Sequence, residues 1–312
     1  MKNIPIFILF LISASIAAQC LNDQYKAILD VGFIIEEINK RGNEKSTLPI
    51  QVVSIYIETD FYTYNALGQQ GTIDWIEDRY WEIASIYAGH GISTSLTSYY
   101  FPENVTSDWS GPYINNPFDL LNRFGELRKD QPHGRLKHFL SIRGLSQGIA
   151  WINTLESDYV TFMTNQGVFH AGPYAVSLGL TTFSSSHPNN WSRIVTTHEM
   201  AHNIGSRHSF DCVWGNGSQQ IDRCNGISCS LSPLAELNTI MSYCSADWQV
   251  GFGDEIGNLI RSKFQNATRD LSGGFTPILM YLSGDLSGDF TATKEVRVFT
   301  DSTFNNSQIN ID

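Results

Sequence analysis

Eleven consecutive residues concentrate the chemistry of this chain: His198-Glu199-Met200-Ala201-His202-Asn203-Ile204-Gly205-Ser206-Arg207-His208. His198 and His202 stand four residues apart, so on a helix they share a face and can offer two imidazole nitrogens to one ion. Glu199 then flanks the ion without ligating it. Gly205 falls where the helix must stop, because glycine adopts the left-handed conformation that turns the chain back. That turn carries His208 to a third ligand position. Three neutral imidazoles suit a tetrahedral zinc with one vertex open to water, the pattern of a catalytic rather than a closed structural site. Two helical histidines with ordinary hydrogen bonds could produce a bare H-E-x-x-H. Five coinciding positions, with glycine where the geometry needs it, favour the metal.

Downstream, Thr239-Ile240-Met241-Ser242-Tyr243-Cys244 lies at a distance suited to a tight turn beneath the ion. With the longer histidine stretch it resembles the metzincin superfamily of zinc endopeptidases, whose hallmark is a Met-turn after H-E-x-x-H-x-x-G-x-x-H. The resemblance implies that Met241 packs under the three histidines, although a methionine in a turn is also ordinary core filler. His-Glu-Met-Ala-His-Asn-Ile-Gly is most similar to the reprolysin (adamalysin, ADAM-type) branch of family M12. Gly148, Ile149, Ala150, Trp151 and Ile152 resemble that branch's edge strand, where an extended peptide adds as a further strand. Residues 174–180 resemble the strand that follows, and residues 51–60, 72–87 and 138–144 its first strand, first long helix and third strand. The similarity spans about residues 48–269. Two positions depart from the branch. Ser209 stands where reprolysins usually carry aspartate, as in matrixins. Tyr243 stands where astacins and serralysins carry a tyrosine that can approach the zinc.

What the resemblance implies is a secreted zinc endopeptidase acting on protein or peptide substrates, with one catalytic zinc on His198, His202 and His208. Glu199 would be the general base that takes a proton from the water and returns it to the leaving amine. Tyr243 would either help hold the oxyanion or serve only as packing. The rival reading is an inactive zinc-folded adhesion or binding module. Intact Glu199 speaks against it, since a scaffold has no physical need of a carboxylate beside the metal.

The elements that must position these residues follow from periodicity. Residues 50–57 are rich in β-branched side chains between Pro49 and Asp60 and read as a strand. Ile73, Ile76, Tyr80, Ile83, Ala84 and Tyr87 recur at helical spacing. Residues 92–101 alternate up to Pro102, residues 118–127 suggest a helix and residues 137–142 a strand. This order predicts an α/β fold. With the resemblance it becomes the zincin arrangement: a twisted, largely parallel five-stranded sheet with an antiparallel edge strand, a zinc helix, and a smaller irregular C-terminal subdomain stapled by disulfides.

Residues 1–18 have the three-part layout of a signal peptide: Lys2, an apolar run at 4–12, and small residues before a cleavage point near Gln19. Acylation of Cys20 is the competing reading, disfavoured because Gln19 is not the small residue a lipoprotein site wants. The apolar run is too short for a stable membrane span. Residues 19–47 form a short N-terminal segment, too few for a folded inhibitory prodomain, and residues 48–270 the catalytic domain. A net charge of −11 lacks the basic patches that nucleic acid or anionic membranes would require. A monomer is expected.

Four of the five cysteines, Cys212, Cys224, Cys229 and Cys244, fall between His208 and the end of the Met-turn. In an exported protein this predicts two disulfides, and no C-x₂-C spacing supports metal binding by them instead. Of three possible pairings, the expected one joins Cys224 to Cys229 as a local loop and Cys212 to Cys244 across the Met-turn. Cys20 is left over. Beyond Arg269, Gly273-Gly274 and two Ser-Gly-Asp repetitions suggest a linker, and residues 291–312 either a small β element or a disordered tail. His90, His133, His138, His170 and His187 have no ligand spacing; His170 and Tyr174, between the strands bordering the substrate, are the nearest candidates for the cleft.

Overall fold

The computed structural model describes residues 52–104, 109, 111–130, 134–164, 167–183, 190–224, 226, 228–234, 238–244 and 246–272, with the backbone of 295–300 and 303–310. The signal-peptide segment, Cys20, the short segment after it and the linker lie outside these residues. In chain order the elements are β1 (Val53–Thr59), α1 (Phe61–Gly89), β2 (Thr94–Tyr100), α2 (Pro117–Arg128), β3 (Leu136–Leu140), β4 (Gln147–Ala150), β5 (Val160–Thr164), β6 (Gly167–Ala171), β7 (Tyr174–Leu178), α3 (Trp191–Ile204), α4 (Gly253–Gln265), β8 (Glu295–Thr300) and β9 (Thr303–Asn310). Among the described residues no helix is long and apolar enough to cross a membrane.

β1 is buried along its whole length, as a central parallel strand between two helical layers must be. It pairs in parallel with β2 and β3, and β3 pairs in parallel with β7. β4 alone runs antiparallel in this set, against β7. The order β4-β7-β3-β1-β2 is the five-stranded, mostly parallel sheet that the sequence predicts, with its antiparallel edge. β8 and β9 continue it beyond β2, the first parallel to β2 and the second folding back antiparallel.

Two apolar cores cover the two faces. One gathers α1, α3, α4 and the segment around Ile240 and Met241; the other gathers α2, β6 and residues such as Phe139 and Trp151. α1 begins well before residue 72 because Asp60 caps it, its Oδ1 accepting from Thr63 N (2.9 Å) and Thr63 Oγ1 (2.7 Å). Gly68, at φ 71°, puts a kink in the first part of this helix. Tyr87 near its far end donates to Thr197 O (3.1 Å), which fixes α1 against α3.

Two local expectations are revised. The edge strand ends at Ala150, so Trp151 and Ile152 lie past it, although Trp151 N still donates to Tyr174 O (3.3 Å). Residues 151–173 contain a separate hairpin, β5 with β6, that the sequence reading did not anticipate. His170 sits on this hairpin, its N–H donating to Asn122 Oδ1 of α2, and Tyr174 is buried in the α2-side core. The side chains of both lie on the α2 side of the sheet, against Gly125.

Candidate active site

α3 is built to be held on every side. Twelve of its fourteen residues are buried. Asn190 caps its N-terminus by accepting from Arg193 N. At the other end Gly205 takes φ 119° and ψ 4°, a left-handed cap, and its N–H reaches Ala201 O (3.1 Å) and His202 O (2.9 Å). The segment after β4 satisfies the last carbonyls of the helix: Asn153 N donates to His202 O (2.8 Å), and Thr154 N and Leu155 N to Asn203 O (2.7 and 2.8 Å). The zinc helix therefore ends on the edge-strand connection, not in solvent.

The three histidines converge. His202 Nε2 lies 3.1 Å from His198 Nε2 and 3.2 Å from His208 Nε2. His198 Nδ1 donates to Ile240 O (2.8 Å) and His202 Nδ1 to Ser206 O (2.8 Å). A carbonyl can only accept, so each of these rings carries its proton on Nδ1 and turns a lone pair on Nε2 inward. That is how carbonyl partners orient imidazoles for a metal. Burial, followed by the neighbouring His208 and His198, holds the pKa of His202 well below the usual histidine range, so it is neutral and able to ligate. This trio is a group of metal-capable side chains with all ligand atoms within 4.8 Å, and a three-imidazole donor set fits zinc.

Both acceptors come from turns the sequence marks. Ser206 O follows the Gly205 cap. Ile240 O precedes Met241, which is fully buried in the same core as Met200, Ala201 and Ile204. Ser209, the departure noted at the position after His208, locks the two segments together: Ser209 N donates to Met241 O (3.1 Å), and its hydroxyl lies 2.6 Å from Asp222 Oδ2. Tyr243 OH stands 3.1 Å from His208 Nε2, its ring edge-on to His208 and Phe210, so the sequence-predicted tyrosine reaches the histidine cluster. Glu199 is fully buried, and its carboxylate rests against β4 at Gly148.

The disulfide pairing differs from expectation. Cys212 pairs with Cys229 and Cys224 with Cys244, not Cys224 with Cys229 and Cys212 with Cys244. The reason lies in side-chain hydrogen bonds that direct the loop. Asp222, held by Ser209 beside the Met-turn, accepts from Cys224 N (3.0 Å) and so brings Cys224 to Cys244. Trp214 and Gln219 bridge into a small hairpin, and Gln220 Oε1 accepts from Cys229 N (3.2 Å), which leaves Cys229 beside Cys212. A short loop between Cys224 and Cys229 is entropically attractive but runs against both bonds.

A model of metallopeptidase family M12, of the reprolysin type, matches residues 50–252, about two thirds of the chain. The chain belongs to metallopeptidase family M12. The matched segment of this M12 chain contains the whole histidine stretch, Glu199, the edge strand and the Met-turn. No curated protein matches it. Among solved structures, one described as "Structure of a chaperone-substrate complex" is similar at 13% identity with a TM-score of 0.38, over 71% of this chain and 36% of that one. The chain thus spans about a third of that structure's length. The family match, and not this likeness, bears on function.

Asn203 is the site residue that sequence reasoning passed over. Its Nδ2 donates to Trp151 O (2.8 Å) and Tyr174 O (2.9 Å), tying α3 to the strand connection and to β7. The signal was a polar side chain directly after a ligand histidine, on a helix with no exposed face to spare.

Proposed function

We propose that this M12 domain is a secreted zinc endopeptidase of the metzincin type that hydrolyses peptide bonds in extended protein substrates. The observation that supports it most is the inward convergence of three Nε2 atoms, two of them oriented by Nδ1–H donation to carbonyls, on a helix that also carries a buried carboxylate. His198, His202 and His208 would hold the zinc. When bound, zinc supplies Lewis acidity, which brings the pKa of a water toward neutrality and polarises a carbonyl.

The chain's own residues do the rest. Glu199, one position from His198 and shielded from bulk solvent, accepts the proton of the attacking water and delivers it to the departing amine nitrogen. Tyr243, with its hydroxyl at the histidine cluster, donates to the oxygen on which negative charge develops. β4 pairs with the substrate backbone as an added strand, which orients the scissile bond without reading its side chains. The two disulfides support an extracellular location.

Incubation of the purified chain with denatured protein, with and without a chelator, tests the reading. Fragments that appear, vanish on chelation and return with zinc are the expected result. No cleavage by a protein carrying a full equivalent of zinc would overturn it.

A further inference from the structure

The edge strand and the zinc helix meet at Gly148, through the side chain of Glu199. A Cβ built on Gly148 would stand 2.6 Å from Cγ and 2.7 Å from Cδ of Glu199, and nearer still to Oε1. Real Cβ atoms do not come so close, so the carboxylate occupies the space that a side chain at 148 would fill. Backbone conformation does not explain the glycine, because Gly148 is absent from the positive-φ positions. Nor can the carboxylate step aside into water, since Glu199 is fully buried on a helix anchored at its far end by residues 153–155.

Strand register gives this contact a direction. Gly148 stands opposite Ser177 of β7, but Trp151 N donates to Tyr174 O, so by the alternation of an antiparallel ladder it is residues 151, 149 and 147 that turn their N–H and C=O toward β7. The N–H and C=O of Gly148 therefore point away from β7, toward the side where a substrate strand would add. The position against which Glu199 rests is thus also a position that presents backbone groups to the substrate.

We infer that Gly148 is a positioning residue: by lacking a side chain it seats the Glu199 carboxylate against the edge strand, at the register where that strand holds the scissile segment. The inference rests on the proposed roles of Glu199 and β4. It assigns to one glycine the coupling between where the substrate lies and where the proton acceptor stands. Displacing the carboxylate by about the radius of a methyl group should then cost turnover while leaving substrate binding and metal binding in place, since misplacement of about 1 Å can cost on the order of 10²-fold.

The experiment uses the full chain and a fluorescently labelled denatured protein. Gly148→Ala is expected to keep a full equivalent of zinc and a KM within a few-fold of the parent, while kcat falls by about 10- to 10²-fold. A kcat near that of the parent, or a loss carried wholly by KM, overturns the inference. Glu199→Gln, measured alongside, separates the two levels. If Glu199→Gln still cleaves, the proposed mechanism falls and the inference with it; if it is inactive while Gly148→Ala turns over normally, only the inference falls. A stability cycle covers the case in which Gly148→Ala folds poorly. In a Glu199→Ala background the clash is gone, so adding Gly148→Ala should lower the melting temperature less than it does in the parent. An equal loss in both backgrounds, or failure of the double variant to fold, places the obstruction elsewhere and overturns the inference.

Discussion

Replacing Asn203 asks whether the zinc helix and the edge-strand region stand or fall together. Its buried Nδ2 group donates to Trp151 O at 2.8 Å and Tyr174 O at 2.9 Å, and Asn203→Ala removes both donors at once. Each carbonyl keeps one longer partner, Thr154 Oγ1 at 3.4 Å for Trp151 and Trp151 N at 3.3 Å for Tyr174. Orphaning a buried acceptor costs about 1–3 kcal/mol, and these remaining bonds keep the pair near the lower half of that range, about 2–4 kcal/mol together. For a domain of about 200 residues that lowers Tm by roughly 4–16 °C. Asn203→Asp keeps the shape but sets a carboxylate oxygen against the same carbonyls, so it should fall at least as far. The assay is thermal melting followed by circular dichroism, with zinc in fixed excess because metal binding itself raises Tm. A Tm for Asn203→Asp within about 2 °C of the parent would show that these bonds do not hold the helix to the sheet.

His202→Ala removes the central member of the trio, so metal analysis should find zinc lost; retention of a full equivalent refutes the ligand assignment. Tyr243→Phe keeps the ring against His208 and Phe210 but deletes one donor, and kcat should drop by about 10² to 10³-fold with zinc content unchanged; a near-normal kcat reduces Tyr243 to packing. Non-reducing peptide mapping should recover Cys212 joined to Cys229 and Cys224 joined to Cys244, and any other pairing contradicts the loop hydrogen bonds described above. His138 is fully buried on β3 beside β7, its Nε2 2.9 Å from Ser177 Oγ, and burial pushes its pKa down to about 3. Between that value and the unfolded pKa of about 6.5 the unfolded chain binds the extra proton, so this histidine's stabilisation is complete above about pH 6.5 and is lost as pH falls. His138→Gln should therefore flatten the pH dependence of stability below pH 6 in chelated protein, and parallel curves for parent and variant would exclude it.

What was legible in the sequence was what short spacing determines. The ligand trio, the Gly205 cap and the Met-turn depend on residues within a few positions of one another. β1, β3 and β7 are buried along their whole lengths, and β2, half covered, shows instead as the alternation at residues 92–101. Pairing between distant side chains left no such trace. Glu199 and Gly148 lie far apart in sequence, and nothing in either segment announces that a carboxylate needs the missing Cβ. The disulfide pairing follows from the hydrogen bonds that Asp222 and Gln220 accept from Cys224 N and Cys229 N, tertiary contacts that the cysteine spacing does not reveal. The β5–β6 hairpin escaped because its strands are only half covered, and Met163 and Val168 on its outer side mimic core residues while lying exposed.

The two disulfides interleave along the chain, in the order Cys212, Cys224, Cys229, Cys244 with first joined to third and second to fourth. A backbone break anywhere between Cys212 and Cys244 therefore leaves the two fragments covalently linked, by one bridge near either end and by both in the middle. If the domain is the endopeptidase proposed above, this loop holds together when one copy cuts another there. A molecule cut there would still carry its Met-turn tethered beside His208, would run as a single species on a non-reducing gel, and would show its damage only when the bridges are reduced.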